Sequence, residues 1–310
     1  MTVLDLQDHN RQLHIEERKT LSVSVCLGYF DGVHIGHAAL LKAAYDAAVR
    51  HGIDAAVWTF SAPPFPGRAK QLTTLSEKLS LFASHGIRYA FLYEFNDVRD
   101  LSPEDFVEKI LIGECHVRSC VCGFNFRFAK NAQGTTEDLR RLLSAYNADL
   151  DVLEAVTLDG LAVSATRIRS HLSEGDTVTA ARCLGRNYAF TLPVVHGKAL
   201  GRTIGVPTIN QNPPTDMQLP ANGTYATTAY IDGMAYPAVT NIGIRPTVAE
   251  DDHRPNAETH IIGYDGCLYD RSVTVAFRRR LRDEMRFDSL DALKAQIADD
   301  IRASVASYSE

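Results

Sequence analysis

The sequence predicts an α/β protein in two parts: a Rossmann-like domain of alternating strands and helices, then a small antiparallel β-barrel with a C-terminal helix. Three observations carry this expectation. The chain has 310 residues, beyond the length at which one hydrophobic core usually stops growing. Strand-like and helix-like segments alternate through its first half, the pattern of a parallel sheet covered by helices. Past residues 180–190, short strand-like runs follow one another between Gly, Pro, Asn and Asp turns, which favours a barrel or sandwich. The boundary falls near residue 186, giving domains 1–186 and 187–310.

The elements follow in order. Residues 22–30 read as a buried strand and 38–52 as a helix ending near Gly52; residues 53–60 return to strand pattern. Thr74 and Glu77 have capping-box spacing, so a helix should follow and stop near Gly86. Residues 88–95 are the next strand, and Ser102 before Pro103 and two acids opens another helix. Residues 118–124 and 149–158 supply two more strand candidates. In the second part, strands are expected within 191–197, 225–231, 235–242, 258–264 and 273–281. Leu290, Leu293, Ile297 and Ile301 then form an apolar helix stripe.

Lys plus Arg is 32 and Asp plus Glu is 38, a formal net charge of −6. That balance gives no general reason to expect nucleic acid or an anionic membrane as partner. The start carries charges where a signal peptide needs its apolar region, and no apolar run approaches a membrane-spanning length, so a cytoplasmic enzyme is expected. The six cysteines show neither a CxxC pair nor disulfide-scaffold spacing, and Cys120 and Cys122 read as small packed hydrophobes.

Two segments carry chemistry. GYFDGVHIGH, residues 28–37, lies between a strand and a helix. Gly28, Gly32 and Gly36 permit close backbone approach, Asp31 sits in the same turn, and the helix start offers N–H groups to phosphate. His34 and His37 are placed to donate hydrogen bonds to a polyphosphate; the competing reading makes the glycines a turn and the histidines its caps. The segment is neither GxGxxG nor a Walker A loop, and no neighbouring pattern completes a zinc site. The second segment, HGKALGRTIGVPTIN at 196–210, places Gly201 and Gly205 at tight corners and Thr208 and Asn210 as oxygen donors after Pro207. NGTYA at 222–226 and NIGIRPT at 241–247 add polar turns. Glu258, within a strand, is either a proton acceptor or a solvated-face residue.

GYFDGVHIGH resembles the HxGH-type signature of the adenylyltransferase half of bifunctional bacterial riboflavin kinase/FAD synthetases. The likeness continues in family order through Thr59–Phe60, GFNFRF at 123–128, SATRIRSHLSEGD at 164–176 and LGR at 184–186. The resemblance implies a nucleotidyltransferase domain in which His34 and His37 contact ATP phosphates, Asn125 helps form the transfer pocket, and Thr166 and Arg169 match the element that holds departing phosphate. The order GRTIGVPTIN, NGTYA, NIGIRPT, AETHII and LRDEMRFDSLDAL resembles a riboflavin kinase domain from about Leu184 to Asp300. By motif position Gly201 and Gly205 approach phosphate, Thr208 and Asn210 organise Mg2+ and ATP, Glu258 activates the riboflavin 5′ hydroxyl, and Arg282 shapes the flavin side. Tyr225, Ile244 and Phe287 either line an isoalloxazine pocket or fill the barrel core. The implied ligands are ATP, Mg2+, riboflavin, FMN and FAD.

Three departures weaken the first half of the likeness. Pro63 stands where the family's TFxPHP segment carries histidine, Ala165 replaces a serine, and Ala129 replaces a glycine after the FxF segment. Adenylylation is therefore expected to be the weaker activity. A riboflavin kinase with an impaired adenylyltransferase domain and an inactive flavin- or nucleotide-binding regulator stand as alternatives.

Overall fold

The computed structural model describes residues 2–197, 201, 204–244 and 255–309. Parts of two expected site segments, 198–200 with 202–203 and 245–247, lie outside the described residues. The chain divides into two compact units, Met1–Ser164 and Ala165–Glu310.

The first unit is built on a seven-stranded sheet. In chain order its elements are β1 (Thr2–Asp5), β2 (Arg11–Gln12), α1 (Ile15–Arg18), β3 (Val23–Leu27), α2 (Ile35–His51), β4 (Asp54–Phe60), α3 (Leu75–Ser84) and β5 (Tyr89–Tyr93). There follow α4 (Phe95–Val98), α5 (Pro103–Asp105), a π-helical segment Phe106–Glu114, β6 (Val117–Gly123), α6 (Thr136–Ser144) and β7 (Asp149–Leu153). A two-stranded hairpin, β8 (Thr157–Leu158) and β9 (Leu161–Ala162), completes the unit.

The strand order is β2-β1-β5-β4-β3-β6-β7, with β3 through β7 parallel. β3 is buried throughout because both of its faces are covered: Val25 and Leu27 pack with Phe106 and Leu139, and Cys26 packs with Leu41 and Phe82. The strand-to-helix reading holds, with α2 closed by Gly52 in the left-handed region and α3 opened by the Thr74–Glu77 capping box. Two features differ from expectation. The N-terminal β1–β2 hairpin adds an antiparallel edge to the sheet; strands of four and two residues are too short to show as periodicity. The helix begun at Ser102 widens into nine π-helical residues, where Cys115 N–H donates to Ile110 C=O at 2.9 Å.

The second unit opens with α7 (Ala165–Ser173) and α8 (Thr177–Leu184). Its strands are β10 (Tyr188–Pro193), β11 (Ile209–Gln211), β12 (Gly223–Ile231), β13 (Met234–Ile244), β14 (Pro255–Ile261) and β15 (Ser272–Arg282), followed by α9 (Leu290–Ser309). The six strands are antiparallel in the order β10-β15-β12-β13-β14-β11. An isolated bridge from Val195 to Asn210, with Val195 N–H donating to Asn210 C=O at 2.8 Å, brings the two sheet ends together as a barrel.

The barrel interior holds Phe190, Tyr225 and Phe277, so Tyr225 is core, its hydroxyl donating to Ala221 C=O at 2.5 Å. Buried beside them, the hydroxyls of Thr227, Thr240 and Thr259 link three strands at 2.8 and 2.9 Å. α9 packs on β12 and β13, where Ser304 Oγ donates to Ala238 C=O at 2.6 Å. The sequence pattern changes near residue 186, yet α7 and α8 belong to the second compact unit. α8 packs on β10 and β15, and Thr177 Oγ1 donates to Arg278 C=O at 3.2 Å. No described helix is long and apolar enough to cross a membrane.

Candidate active sites

In the first unit, β3 leads to β4 on one side while β6 and β7 lie on the other. The chain order thus reverses between β3 and β6, and ligands of such sheets bind outside the strand carboxyl ends at that reversal. Residues 28–37 leave β3 there, and Asn125 follows β6 immediately. The turn is strained: Phe30, Gly32 and Val33 have φ of 58°, 78° and 40°. Only glycine adopts that region freely, so Phe30 and Val33 cost roughly 1–3 kcal/mol each. Both are buried in the core, which offsets the strain.

His34 is the N-cap of α2; its Nδ1 accepts the His37 amide at 3.3 Å, which leaves the proton of the neutral ring on Nε2. The His34 and His37 rings stack with centroids 3.6 Å apart. Burial, reinforced by His34 and Lys78, holds His37 well below the ordinary histidine range, so it too is neutral at pH 7. Asp31 is a staple: its Oδ1 accepts the amides of Leu72 and Thr73 at 3.0 and 3.3 Å. Thr73 Oγ1 in turn accepts the Gly32 amide at 3.0 Å.

Beside this turn lies a cavity of about 960 Å³ that reaches Gly28 and Asn125 and is walled by Trp58, Phe60, Phe95, Phe126 and Phe128. Flat apolar walls of this kind suit a planar fused ring. Ala129 also lines it, at φ 64° and ψ −173°, a conformation that is essentially glycine-only. Ala129→Gly should therefore stabilise the first unit by about 1 kcal/mol after glycine's own entropy cost. Urea unfolding of the two proteins checks this; a lower midpoint for the glycine variant would show that the backbone accepts alanine without strain. Thr166 and Arg169 lie on α7, three residues apart and so on one helix face, within the second compact unit.

In the second unit, strand register builds the site. Asn210 on β11 pairs with Glu258 on β14, Glu258 with Asn241 on β13, Asn241 with Thr224 on β12, and Thr224 with Arg282 on β15. Directly paired residues share a sheet face, so five strands contribute one polar row. Glu258 is exposed, and its Oε1 accepts from Asn256 Nδ2 at 2.9 Å. A cavity of about 550 Å³ includes Glu258, Thr224, Asn241 and Arg282, with Val206, Val239 and Phe287 as apolar walls. The stripe of Leu290, Leu293, Ile297 and Ile301 on α9 lines this cavity as well.

Thr208 borders that cavity and also a second one of about 350 Å³, which includes Pro207, Tyr264 and Tyr269. β11 takes in Ile209 and Asn210 of the PTIN segment, while Pro207 and Thr208 lie just before the strand. His260 Nδ1–H donates to Pro207 C=O at 2.8 Å and holds the approach to Thr208. Gly201 accepts the Val206 amide at 2.8 Å, and a Cβ at Gly201 would strike the Val206 carbonyl. Gly205 turns at φ 80°. The Arg282 guanidinium is held by Asp300: Nε lies 3.2 and 3.1 Å from the carboxylate oxygens and Nη2 2.9 Å from Oδ2. Arg282 thus shapes the cavity by fixing α9.

Sequence reasoning missed Thr73, Lys78, His260 and Asp300. Each acts through a contact distant in sequence; His260 stands inside the AETHII segment, but nothing local marks its bond to Pro207, and the other three stand in no motif. Thr208 and Asn210 offer hard oxygen donors, which fits Mg2+, an ion that keeps most of its shell as water and substrate phosphate.

The comparisons with known proteins fall on the same two halves. A family described as FAD synthetase matches residues 16–167, and one described as riboflavin kinase matches residues 184–308. A bifunctional riboflavin kinase/FMN adenylyltransferase of Pseudomonas fluorescens is 35% identical, covering 90% of this chain and 91% of that one. The protein of the same description from Bacillus subtilis is 32% identical over 95% of each chain. Among solved structures, a Streptococcus pneumoniae chain described as a macrolide-efflux protein has a TM-score of 0.84 and 28% identity, covering 93% of this chain and 96% of that one. With both halves matched in order, and relatives above 30% identity spanning nearly the whole length, the chain belongs to the bifunctional riboflavin kinase/FMN adenylyltransferase family.

Proposed function

We propose that the second unit phosphorylates riboflavin with ATP and that the first unit adenylylates the resulting FMN to FAD. The observation that carries the kinase half is Thr208 in the wall of two cavities, the larger of which presents Glu258. Neighbouring pockets for acceptor and donor replace a bimolecular encounter by a held geometry. The isoalloxazine packs against Val206, Phe287 and the α9 stripe, and the nucleotide occupies the smaller cavity. Asn256 holds one Glu258 oxygen, leaving the other to accept the proton of the 5′ hydroxyl. The hydroxyl oxygen then bonds to the γ-phosphorus as the bond to the β-bridging oxygen breaks, giving FMN and ADP. Thr208 and Asn210 hold Mg2+, which when bound neutralises phosphate charge, while Gly201 and Gly205 let backbone come close to the phosphates.

In the first unit the neutral His34 and His37 rings donate to the ATP phosphates at the α2 N-terminus. Gly28 leaves room for the nucleotide, Asn125 borders the transfer pocket, and the aromatic cavity receives the FMN ring. The FMN phosphate attacks the α-phosphorus and pyrophosphate leaves.

Incubation with riboflavin, ATP and Mg2+, followed by chromatography, is expected to show FMN accumulating ahead of FAD. Pro63, Ala129 and Ala165 motivate the slower second step. FMN alone would leave a kinase with an impaired adenylyltransferase unit, and no flavin product would overturn both halves.

A further inference from the structure

A buried ammonium lies behind the turn of residues 28–37, and the chemistry above does not use it. Lys78, in the first turn of α3, is only 2% exposed. Its Nζ donates to the Tyr29 carbonyl at 3.3 Å and stands 4.3 Å from the centroid of the Tyr29 ring. The Asp31–Thr73 and Gly32–Thr73 hydrogen bonds tie the same turn to the segment that precedes α3. Lys78 is therefore part of the scaffold that holds the strained backbone at Phe30 and Val33 in place.

An ammonium is a costly way to fill that space, because removing its charge from water is unfavourable where leucine or methionine would pack freely. What it adds is a positive charge beneath the N-terminus of α2, in a region where charge is weakly screened. We infer that Lys78 is a positioning residue for nucleotide at this turn, its ammonium holding the Tyr29 carbonyl while its charge adds to the helix N-terminus in compensating the polyphosphate. The inference rests on the adenylyl-transfer reading of the first unit.

The charge is also poised to titrate. Burial lowers Lys78 from the usual lysine range to about 8, against the opposing pull of Asp31. The groups facing it are Asp31 and Tyr29 on the turn and His37, held neutral, on α2; Glu77, beside it on α3, is occupied by the Thr74 cap. Its charge is present below about pH 8 and lost as pH rises through that value.

The test uses the full chain with ring-labelled histidines, following His34 and His37 by NMR as Mg2+–ATP is added, so that binding at this turn is read apart from the kinase unit and from catalysis. Wild-type affinity at this turn should fall between pH 7 and pH 9. Lys78→Met should bind about tenfold or more weakly at pH 7, the scale of one lost charge-assisted contact, with unchanged riboflavin phosphorylation. Lys78→Arg, whose guanidinium does not titrate in this range, should keep its affinity at pH 9. ATP-induced shifts without FAD formation would sink the adenylylation reading and still test Lys78 through these affinities. The inference is overturned by wild-type affinity that is flat across the pH range, by Lys78→Met binding as tightly as wild type, or by no ATP-induced shift at either histidine.

Discussion

Glu258→Gln should lower FMN formation by about 10²–10⁴-fold, the usual contribution of a positioned general base. The amide keeps the shape of the side chain and can still accept from Asn256 Nδ2, so the polar row from Asn210 to Arg282 should stay assembled. What is lost is the ability to take the proton of the flavin hydroxyl. The defect should therefore appear in kcat for riboflavin, with ATP affinity close to wild type, because the cavity proposed for the nucleotide lies on the other side of Thr208. Steady-state kinetics and ATP titration separate the two. FMN turnover within a few-fold of wild type would remove Glu258 from the role of base and leave a reaction driven by placement alone.

Asp300→Ala should destabilise the second unit by roughly 3–5 kcal/mol, the cost of leaving a largely buried charge without its partner. The side chains of Asp300 and Arg282 are only 6% and 19% exposed, and the carboxylate also accepts from Gln296 Nε2 at 3.0 Å. The pair clamps α9 against β15, beside the cavity that Leu293 and Ile297 help to line. A melting temperature lower by roughly 10 °C is the corresponding scale for a unit of this size, and the KM for riboflavin should rise with it as the α9 wall loosens. Replacing both partners by leucine should be milder, since no unpaired charge remains. A loss below about 1 kcal/mol for Asp300→Ala would place the pair among solvent-screened bridges.

Much of the fold is legible in the sequence because its signals are local. The Thr74–Glu77 box and the glycine at 52 satisfy hydrogen bonds within one helical turn, and those bonds appear where the pattern puts them. The largely apolar β3 and the closely spaced strands after residue 186 report which faces are buried. Motif order was equally readable, since the turn at 28–37, the PTIN segment and Glu258 each occupy a short stretch with its own chemistry.

Tertiary structure alone decided the rest, because the interactions concerned join residues far apart in the chain. No spacing rule pairs Thr224 with Arg282, or Asn210 with Glu258; strand register does, set by barrel closure and packing. α7 and α8 read as the end of the first domain by pattern, yet their contacts are made within the second unit. Lys78 reads as an ordinary charged helix position until α3 docks and encloses its ammonium behind Tyr29. Residue types and local periods thus determined the fold class and the chemistry available, and the packing of distant segments determined which of those side chains meet and which are desolvated.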